Sequence, residues 1–378
     1  MNKSRIIAIT LVLIIIIVNI GYQISLPRPF QVSGSPEASM KTSLRVQVYD
    51  SSGRLKATRY MPDDLMTDNF RKWLIGVWDT SATSCSLSDT GGNARTITTK
   101  CTTNSAWVNT YCDSYTGTDL KGGYMSIGSG TNAPTQSDVE LQTIYGSAQA
   151  VSGTYPTWDV TSGNVTIQST FSITGTVTIT ESGLYVSWLP SSGSTCYKFL
   201  MARDTYTGIS CSAGDTVVNA LIINLSVSFN RNVGIFLSGI FKYVGDNVNN
   251  QLVMYNTAGG SINVLVYDGT SGVSNQPITY VTGNKAGISQ GTGTTAEGRT
   301  TNTLTTLVDS EALITYDSIS GSTIVIKADV LCGSARALRE DCLIYHAYIG
   351  EMMFIRKLYD EVDIAQAHNA RHTYTVSV

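Results

Sequence analysis

The stretch NVTIQSTFSITGTVTITESGLYVSW, residues 164–188, indicates the fold class of this chain. Apolar and polar side chains alternate from Val165 to Phe171, which is the period of a strand that buries one face. Two further strands of the same kind are predicted at 176–180 and at 184–188. Short strands separated by turn residues predict antiparallel packing in a β-sandwich or jelly roll.

The composition of the whole chain agrees with an exported β protein. Thr, Val, Ile and Tyr favour strands, and Ser and Thr together make up about a quarter of the 378 residues. Charged residues are only 14% and the net charge is −3, so the chain lacks the basic surplus of a protein that binds nucleic-acid phosphates. We therefore expect an all-β, secreted or surface-exposed protein that binds no nucleic acid.

The same order of landmarks occurs twice along the chain. Residues 69–78 match residues 232–241, and residues 128–133 match residues 291–296, in both cases 163 positions apart. Toward the C-terminus the spacing falls to 159 and then to 153, because one connection becomes shorter. This internal repeat predicts a tandem duplication of a unit of about 160 residues.

Each repeat is predicted to begin with a short amphipathic helix, at 67–78 and at 230–244, with Asn230 or Asn232 as the cap of the second. A hairpin predicted at 44–60 precedes the first repeat and has no separate counterpart before the second. The second repeat is therefore expected to have an unpaired edge. The N-terminal segment of a neighbouring copy could cover that edge by strand addition, or the hairpin could fold back onto its own chain.

The N-terminal segment has the features of a membrane anchor. Residues 6–26 are almost all apolar and follow Lys3 and Arg5. As a helix they would span about 31 Å, which matches the core of a bilayer. The preceding positive charge predicts that the N-terminus lies inside and the body of the protein outside. A cleaved signal peptide is the alternative.

The predicted organisation is all-β, with two tandem antiparallel β-sandwich domains that are jelly-roll-like. Each has one short helix, and an N-terminal transmembrane helix precedes them. Residues 27–43 are rich in Pro, Gly and Ser and are expected to form a linker. The predicted boundaries are 1–26 for the anchor or signal segment, 27–43 for the linker, 44–228 for the first unit with its hairpin, and 229–378 for the second unit.

The order of four segments resembles a known family. They are DNFRKWLIGVW, YMSIGSGTNAPTQSDVELQ, the strands of residues 164–188, and FLMARDTYTGISCSAGDTVV. In this order the chain resembles a β-rich structural module of virions, found in tail, baseplate and fibre-type proteins of tailed phages and archaeal viruses. The resemblance covers residues 65–227 well and 228–378 mainly through the match to the first repeat. It implies an assembly part without catalytic residues, and the predicted anchor points to an enveloped virion or a cell-surface filament.

Two motifs have some features of ligand sites. The GSG of residues 128–130 and the GTG of residues 291–293 look like fragments of phosphate loops, but no Lys follows and no GxGxxG is completed. Turn glycines are therefore favoured. His368 and His372 have the spacing of a helical metal pair, but the matching residues of the first repeat begin a strand, so we expect no metal site.

Two charged positions recur in both repeats. Glu181 corresponds to Glu340, and Arg203 corresponds to Arg356. We interpret them as an internal ion pair or an oligomer contact, because a glycosidase needs two acids per site and only one recurs. In the absence of any other catalytic constellation, we expect no enzymatic activity and no cofactor.

The seven cysteines predict disulfide bonds in an exported β protein. Cys196 and Cys211 bracket one predicted hairpin, and Cys332 and Cys342 bracket another, so both pairs are expected to be bonded. One further pair is expected in the long loop, among Cys85, Cys101 and Cys112.

Two sequons predict N-glycosylation, at Asn164 and at Asn224. Asn164 follows a predicted turn and is the better acceptor. Asn224 lies within a predicted strand, where neighbouring strands can cover it.

These features together predict a structural surface protein. It would be a membrane-anchored subunit of a virion or extracellular appendage that assembles with itself and with other virion or envelope proteins. The alternative is an adhesin or receptor-binding spike that recognises host-surface glycans through exposed Tyr and Trp. A regular lattice or filament would favour the first function, and a clear hit on a glycan array would favour the second.

Overall fold

The computed structural model describes most of the chain from residue 30 onward. The described residues are 30–31, 37–62, 65–78, 84–98, 123–151, 156–188, 197–241, 250–267, 286–294, 298–301, 304, 307–313, 315–320, 323–347, 350–366 and 369–378. They are mostly strands in several sheets, with two short helices, which confirms the predicted all-β class. Within these ranges no helix is long and apolar enough to cross a bilayer. The predicted span at 6–26 lies outside them.

Two helices form where the amphipathic pattern predicts them. They are α1 (Asp68–Trp78) and α2 (Arg231–Ile240). The Asn230 side chain caps α2 by accepting a hydrogen bond from the backbone N–H of Asn232. The apolar faces of the helices meet, and the rings of Trp73 and Phe236 stack with centroids 5.8 Å apart. The helices therefore join the first and second halves of the chain in one core.

Twenty-two strands account for most of the described residues. They are β1 (Phe30–Gln31), β2 (Glu37–Tyr49), β3 (Leu55–Pro62), β4 (Leu65–Met66), β5 (Ser84–Ser88), β6 (Ala94–Thr98), β7 (Gly123–Gly128), β8 (Ile144–Ala150), β9 (Thr157–Asp159), β10 (Asn164–Ser172), β11 (Val177–Trp188), β12 (Tyr197–Cys211), β13 (Thr216–Leu225), β14 (Asn250–Tyr255), β15 (Ser261–Tyr267), β16 (Ala286–Gly291), β17 (Leu307–Leu313), β18 (Thr315–Ser320), β19 (Thr323–Leu331), β20 (Arg336–Ala347), β21 (Gly350–Ile364) and β22 (Asn369–Ser377).

The largest sheet has nine strands and includes both ends of the described chain. Its main order is β18-β19-β22-β2-β13-β10-β9, with β1 also paired to β22 and β3 also paired to β2. The predicted hairpin at 44–60 is confirmed as β2 and β3. However, β2 already begins at Glu37, so the linker predicted at 27–43 is in part strand. The start of β2 pairs in parallel with β22 of the same chain, so this N-terminal strand folds back onto the second half of its own chain.

The remaining strands form smaller sheets. One has the order β4-β12-β11-β7-β8, and another has the order β17-β16-β20-β21. The hairpins β5–β6 and β14–β15 form separate two-stranded sheets, which lie against α1 and α2 respectively.

The segments predicted as several short strands are longer in the structure. Residues 177–188 form the single strand β11, with register shifts at Ile179/Glu181 and at Leu184/Tyr185. The strand continues through Gly183. A Cβ at this position would lie 2.9 Å from the side chains of Leu141 and Leu200. The glycine marks close packing instead. Likewise the hairpin predicted between Cys196 and Cys211 is wrong, since residues 197–211 are the one strand β12.

The main core lies between the nine-stranded sheet and the smaller sheets. Val165 and Ile167 of β10 belong to the same buried cluster as Ile127 of β7 and Leu184 of β11. In the second half, β19 shows the same alternation of buried and half-buried residues as β10. The period-two pattern that predicted these strands therefore identifies their buried faces correctly.

Candidate functional site

The most elaborate polar site of the first half is built around Glu181 of β11. Its carboxylate is fully buried. Oε1 accepts hydrogen bonds from the backbone N–H groups of Gly130, at 2.9 Å, and of Thr143, at 2.8 Å. Oε2 accepts a third from the N–H of Gln142, at 3.1 Å. The loop after β7 therefore wraps around one carboxylate and satisfies it with main-chain donors.

Arg203 of β12 closes this site and is only 3% exposed. Its Nη2 and Nε donate to Oε2 of Glu181 at 2.9 and 3.1 Å. Its Nη1 donates to Oδ2 of Asp138 at 2.5 Å, and Nη2 also reaches the carbonyl of Asn132. Burial opposes the charge on Arg203, but the hydrogen bonds that it donates to Asp138 and Glu181 outweigh this effect and raise the pKa of the guanidinium.

The GSG of residues 128–130 is explained by this carboxylate. A Cβ on Gly130 would lie 2.4 Å from Oε1 of Glu181, and one on Gly128 would lie 2.3 Å from the carbonyl of Thr143. Only glycine lets the backbone approach so closely. The motif is therefore a structural turn, as predicted, and its Gly130 N–H is already bonded to Glu181.

The second half contains the corresponding centre. Glu340 is fully buried and accepts from the N–H of Gly293 at 3.0 Å. Nη2 and Nε of Arg356 donate to its Oε2 at 2.7 and 3.2 Å. Behind each centre a tyrosine hydroxyl donates to the glutamate's own carbonyl at 3.2 Å, from Tyr206 to Glu181 and from Tyr359 to Glu340. The prediction of an internal ion pair is confirmed in both halves.

Neither centre is arranged for acid–base catalysis on a substrate. The carboxylates have no accessible surface, and the lone pairs that a substrate would need are bonded to main-chain N–H groups and to arginine. Their effect is to hold a loop against two neighbouring strands. They therefore fix the structure around β11 and β20.

A second buried polar network occurs in the second half and was not predicted. Nδ1 of His372 lies 2.6 Å from Oδ2 of Asp341, and Nε2 lies 3.0 Å from Oε1 of Gln290. The hydroxyl of Tyr374 donates to Asp341, and Nε2 of Gln290 donates to Sγ of Cys332 at 3.2 Å. The strand period places His372 and Tyr374 on the inner face of β22, but no local signal identifies their partners on β16 and β20.

The histidines form no metal pair in the described part of the chain. His372 is engaged by Asp341 and Gln290, and His368 lies outside the described residues. Among the described residues no group of three or more His, Cys, Asp or Glu side chains is placed to hold a metal ion.

The structure does not form the expected Cys332–Cys342 disulfide. Cys332 follows β19 and packs with Leu338 and Ile364 in one buried cluster. Cys342 lies on β20 of a different sheet and packs in another cluster. The residues between them connect two sheets and do not form a hairpin, so the sequence spacing does not bring the thiols together.

The other predicted pairs involve residues outside the described ranges. Cys196 is outside them but directly precedes β12, whose last residue is Cys211. A strand of this length spans about 45 Å, whereas a disulfide needs a Cα separation of about 4.4–6.8 Å. Cys211 forms no disulfide in the structure. Cys85 is half-buried on β5, and its predicted partners Cys101 and Cys112 lie outside the described residues.

The two sequon asparagines are neighbours on the outer face of the nine-stranded sheet. Asn164 and Asn224 are directly opposite each other on β10 and β13. Nδ2 of Asn224 donates to Oδ1 of Asn164 at 2.8 Å. Asn224 is the exposed member and Asn164 is half-buried, which reverses the expected order of accessibility. Glycosylation itself stays a prediction.

A surface cavity of about 340 Å³ lies on the outer face of the five-stranded sheet. Its lining residues include Tyr124 and Tyr185, whose rings stack with centroids 5.2 Å apart. Glu140 and Lys198 also line it. Both tyrosines are nearly buried. In the second half, four apolar side chains pack together on the corresponding face, namely Leu304, Cys342, Ile344 and Met353.

Comparison with known proteins gives no identity. No family model matches the chain, and no curated protein and no solved structure matches it.

Proposed function

We propose that the chain is a tandem duplication of one β-sandwich unit. Support comes from side-chain contacts that recur at matching places in the two halves of the chain. Asn69 of α1 exchanges two hydrogen bonds with the backbone of Ser88, at 2.8 Å each. Asn232 of α2 exchanges the same two bonds with the backbone of Tyr255, at 2.8 and 2.9 Å. Each asparagine thus fastens a hairpin to its helix in the same way.

Strand registers add a second line of support. Glu181 is paired with Gly128 between β11 and β7, and Glu340 is paired with Gly291 between β20 and β16. Because a slip of one residue would turn every side chain to the other face, equal registers at both places are informative. These equal registers support a repeat in strand pairing as well as in sequence.

We infer that the protein is a structural subunit of an extracellular assembly, on a virion or a cell appendage, anchored through residues 6–26. The observation that carries this function is the pairing of β1 and β2 with β22. These strands follow the proposed anchor closely in sequence. A force on the anchor would therefore act on backbone hydrogen bonds within a nine-stranded sheet, which is suited to a load-bearing part.

The strand β3 offers a surface for self-assembly. Its backbone pairs with β2 on one side, and the described strands include no partner on its other side. Leu55 and Tyr60 on β3 are 55% and 61% exposed. An edge strand with exposed apolar side chains is a template for pairing with another chain. We propose that copies associate through this edge.

The test is to express the full chain with its membrane and to examine the envelopes by electron microscopy. We expect a lattice or filament, and intact-mass measurement should show that Met1 is retained. Replacing Leu55 and Tyr60 by Lys should abolish the assembly, while Val253→Lys, at a position 49% exposed on β14, should not. Absence of the chain from the membrane fraction would contradict the anchor. Normal assembly of the Lys variant would contradict the role of β3.

A second function, that of an adhesin for host-surface glycans, is favoured by the cavity above Tyr124 and Tyr185. Its size suits one or two sugar rings, and a carboxylate and an ammonium group lie among its lining residues. A glycan array tests it directly. Glu140→Gln should reduce a genuine signal, whereas Glu361→Gln, on an exposed residue of β21, should leave it unchanged.

A further inference from the structure

The N-terminal strands define a direction along the molecule. β1 runs parallel to β22, with Phe30 beside Ala370. The first residues of β2 continue along the same strand, and Ser39 lies beside Ser377. Residues 30–31 therefore lie beside the beginning of β22, and residues 37–39 lie beside its end.

Beyond Ser39, the pairing partner of β2 changes from a strand of the second half to a strand of the first half. From Met40 to Tyr49 it pairs antiparallel with β13, and Tyr49 lies beside Thr216. The two halves are thus placed one after the other along β2. The second half lies beside β1 and the first residues of β2. The first half lies beside the rest of β2, toward Tyr49.

The proposed anchor limits how far this entry point can be from a bilayer. The apolar stretch ends at Leu26, and four residues reach at most about 14 Å to Phe30. The strand from Glu37 to Tyr49 adds about 40 Å in the outward direction. Phe30 must therefore lie close to the membrane, while Tyr49 is free to lie far from it.

We propose that the second half of the chain, although later in sequence, rests against the membrane and that the first half points away from it. This orientation rests on the proposed anchor. The surface that meets the lipid contains Leu331, at the end of β19, which is paired with Asn369 one step before Phe30's partner. Leu331 is 61% exposed, so an apolar side chain is available to the interfacial layer of the bilayer.

The opposite end is made of turns that are tied together. Nζ of Lys56 contacts Asp215 at 2.5 Å, and the N–H of Ile173 donates to the carbonyl of Asp215 at 2.9 Å. These two contacts hold the connection between β12 and β13 to β3 and to the connection between β10 and β11, beside Tyr49. These connections would form the outer tip, which is the part that another particle or a host surface meets first.

An upright position is favoured over one in which the sheet lies flat on the lipid. The outward positions of β10 are all polar: Asn164, Thr166, Gln168 and Thr170. Neighbouring positions on β2 and β13 add Lys41 and Asn224. Ile222 of β13 and Tyr60 of β3 also lie there, but the face consists mostly of amides, hydroxyls and a charge, which gain nothing from contact with acyl chains.

The test uses the full chain in lipid nanodiscs whose head groups carry a spin label. An environment-sensitive fluorescent amino acid replaces Leu331 in one variant and Leu55 in the other. The two leucines are matched controls, because they are 61% and 55% exposed and lie at opposite ends of the sheet. Because residues 37–49 of β2 alone extend over about 40 Å between the two ends of the sheet, we expect head-group quenching at 331 to exceed that at 55 by at least about fivefold.

Each other outcome overturns a specific step. Equal quenching at the two positions would mean that the sheet lies flat, and stronger quenching at 55 would mean that the first half faces the lipid. Either result overturns the orientation while leaving the anchor intact. An intact mass that begins after residue 26 would overturn the proposed anchor, and the orientation with it.

Discussion

Replacing Glu181 by Gln tests the buried centre most directly. The side chain keeps its size and loses its charge. Its amide NH2 must then face either Gly130 and Thr143 or Gln142 and Arg203, all of which donate hydrogen bonds at that point. At least two buried donors therefore lose their acceptor, at about 1–3 kcal/mol each.

The charge balance of the centre gives a similar figure. Removing one partner of a buried ion pair typically costs about 3–5 kcal/mol. Asp138 still faces Arg203 at 2.5 Å and is partly exposed, which favours the lower end of that range. We expect Glu181→Gln to lower the free energy of unfolding by about 3 kcal/mol.

Urea denaturation of the full chain in detergent, followed by tryptophan fluorescence, measures this loss. The matched control is Glu361→Gln, because Glu361 and Arg339 form an ion pair that is 43% and 42% exposed. Exposed pairs contribute about 0–1 kcal/mol, so the control should stay within that range. If the two variants lose the same free energy, the reasoning from burial and hydrogen bonding is wrong.

Three further predictions concern single positions. A Cβ on Gly130 would lie 2.4 Å from a buried carboxylate oxygen, so Gly130→Ala should destabilise by about 1–3 kcal/mol. Gly175→Ala, where no atom lies within 4 Å of the added Cβ, should stay within about 0.5 kcal/mol in the same urea assay, and a reversed order would be inconsistent with the packing. The hydroxyl of Ser52 and main-chain N–H groups lower the pKa of Asp50 from 3.8 to about 2, so its contribution to stability is present above pH 3.8 and is lost as the pH falls through about 2. A carboxyl NMR titration with a midpoint near 3.8 would contradict this. Burial raises the pKa of the Cys342 thiol, so iodoacetamide should modify it slowly at pH 8 until urea is added, and equal rates before and after would show that the thiol is accessible.

Features that depend on local sequence could be predicted well. The alternation from Val165 to Phe171 gives both the strand and its buried face, and an asparagine before the second helix gives its cap. The recurrent Glu181 and Arg203 could be predicted as an ion pair because a carboxylate and an arginine occur at matching positions of the sequence repeat. Each of these signals lies within one strand, one helix end or one repeated position.

Features that depend on distant pairing could not be predicted. The sequence predicted separate strands at 176–180 and 184–188, but Gly183 between them permits close packing inside the single strand β11, and only the neighbouring strands reveal that. The bond from His372 to Asp341 joins residues 31 positions apart on two different sheets. The prediction of a Cys332–Cys342 disulfide was wrong for the same reason, since the two residues are close in sequence but lie in separate clusters.

The pairing of β2 with β22 also determines when the protein can finish folding. The contact from Met40 to Leu225 can form once the first half of the chain has been synthesised, but residues 37–39 can pair with β22 only when residues 375–377 have been synthesised. The longer loop costs only about 0.6 kcal/mol more, since its length roughly doubles. The delay is therefore kinetic rather than thermodynamic: the N-terminal residues remain available while the second half folds, and during that interval another nascent copy can compete for them.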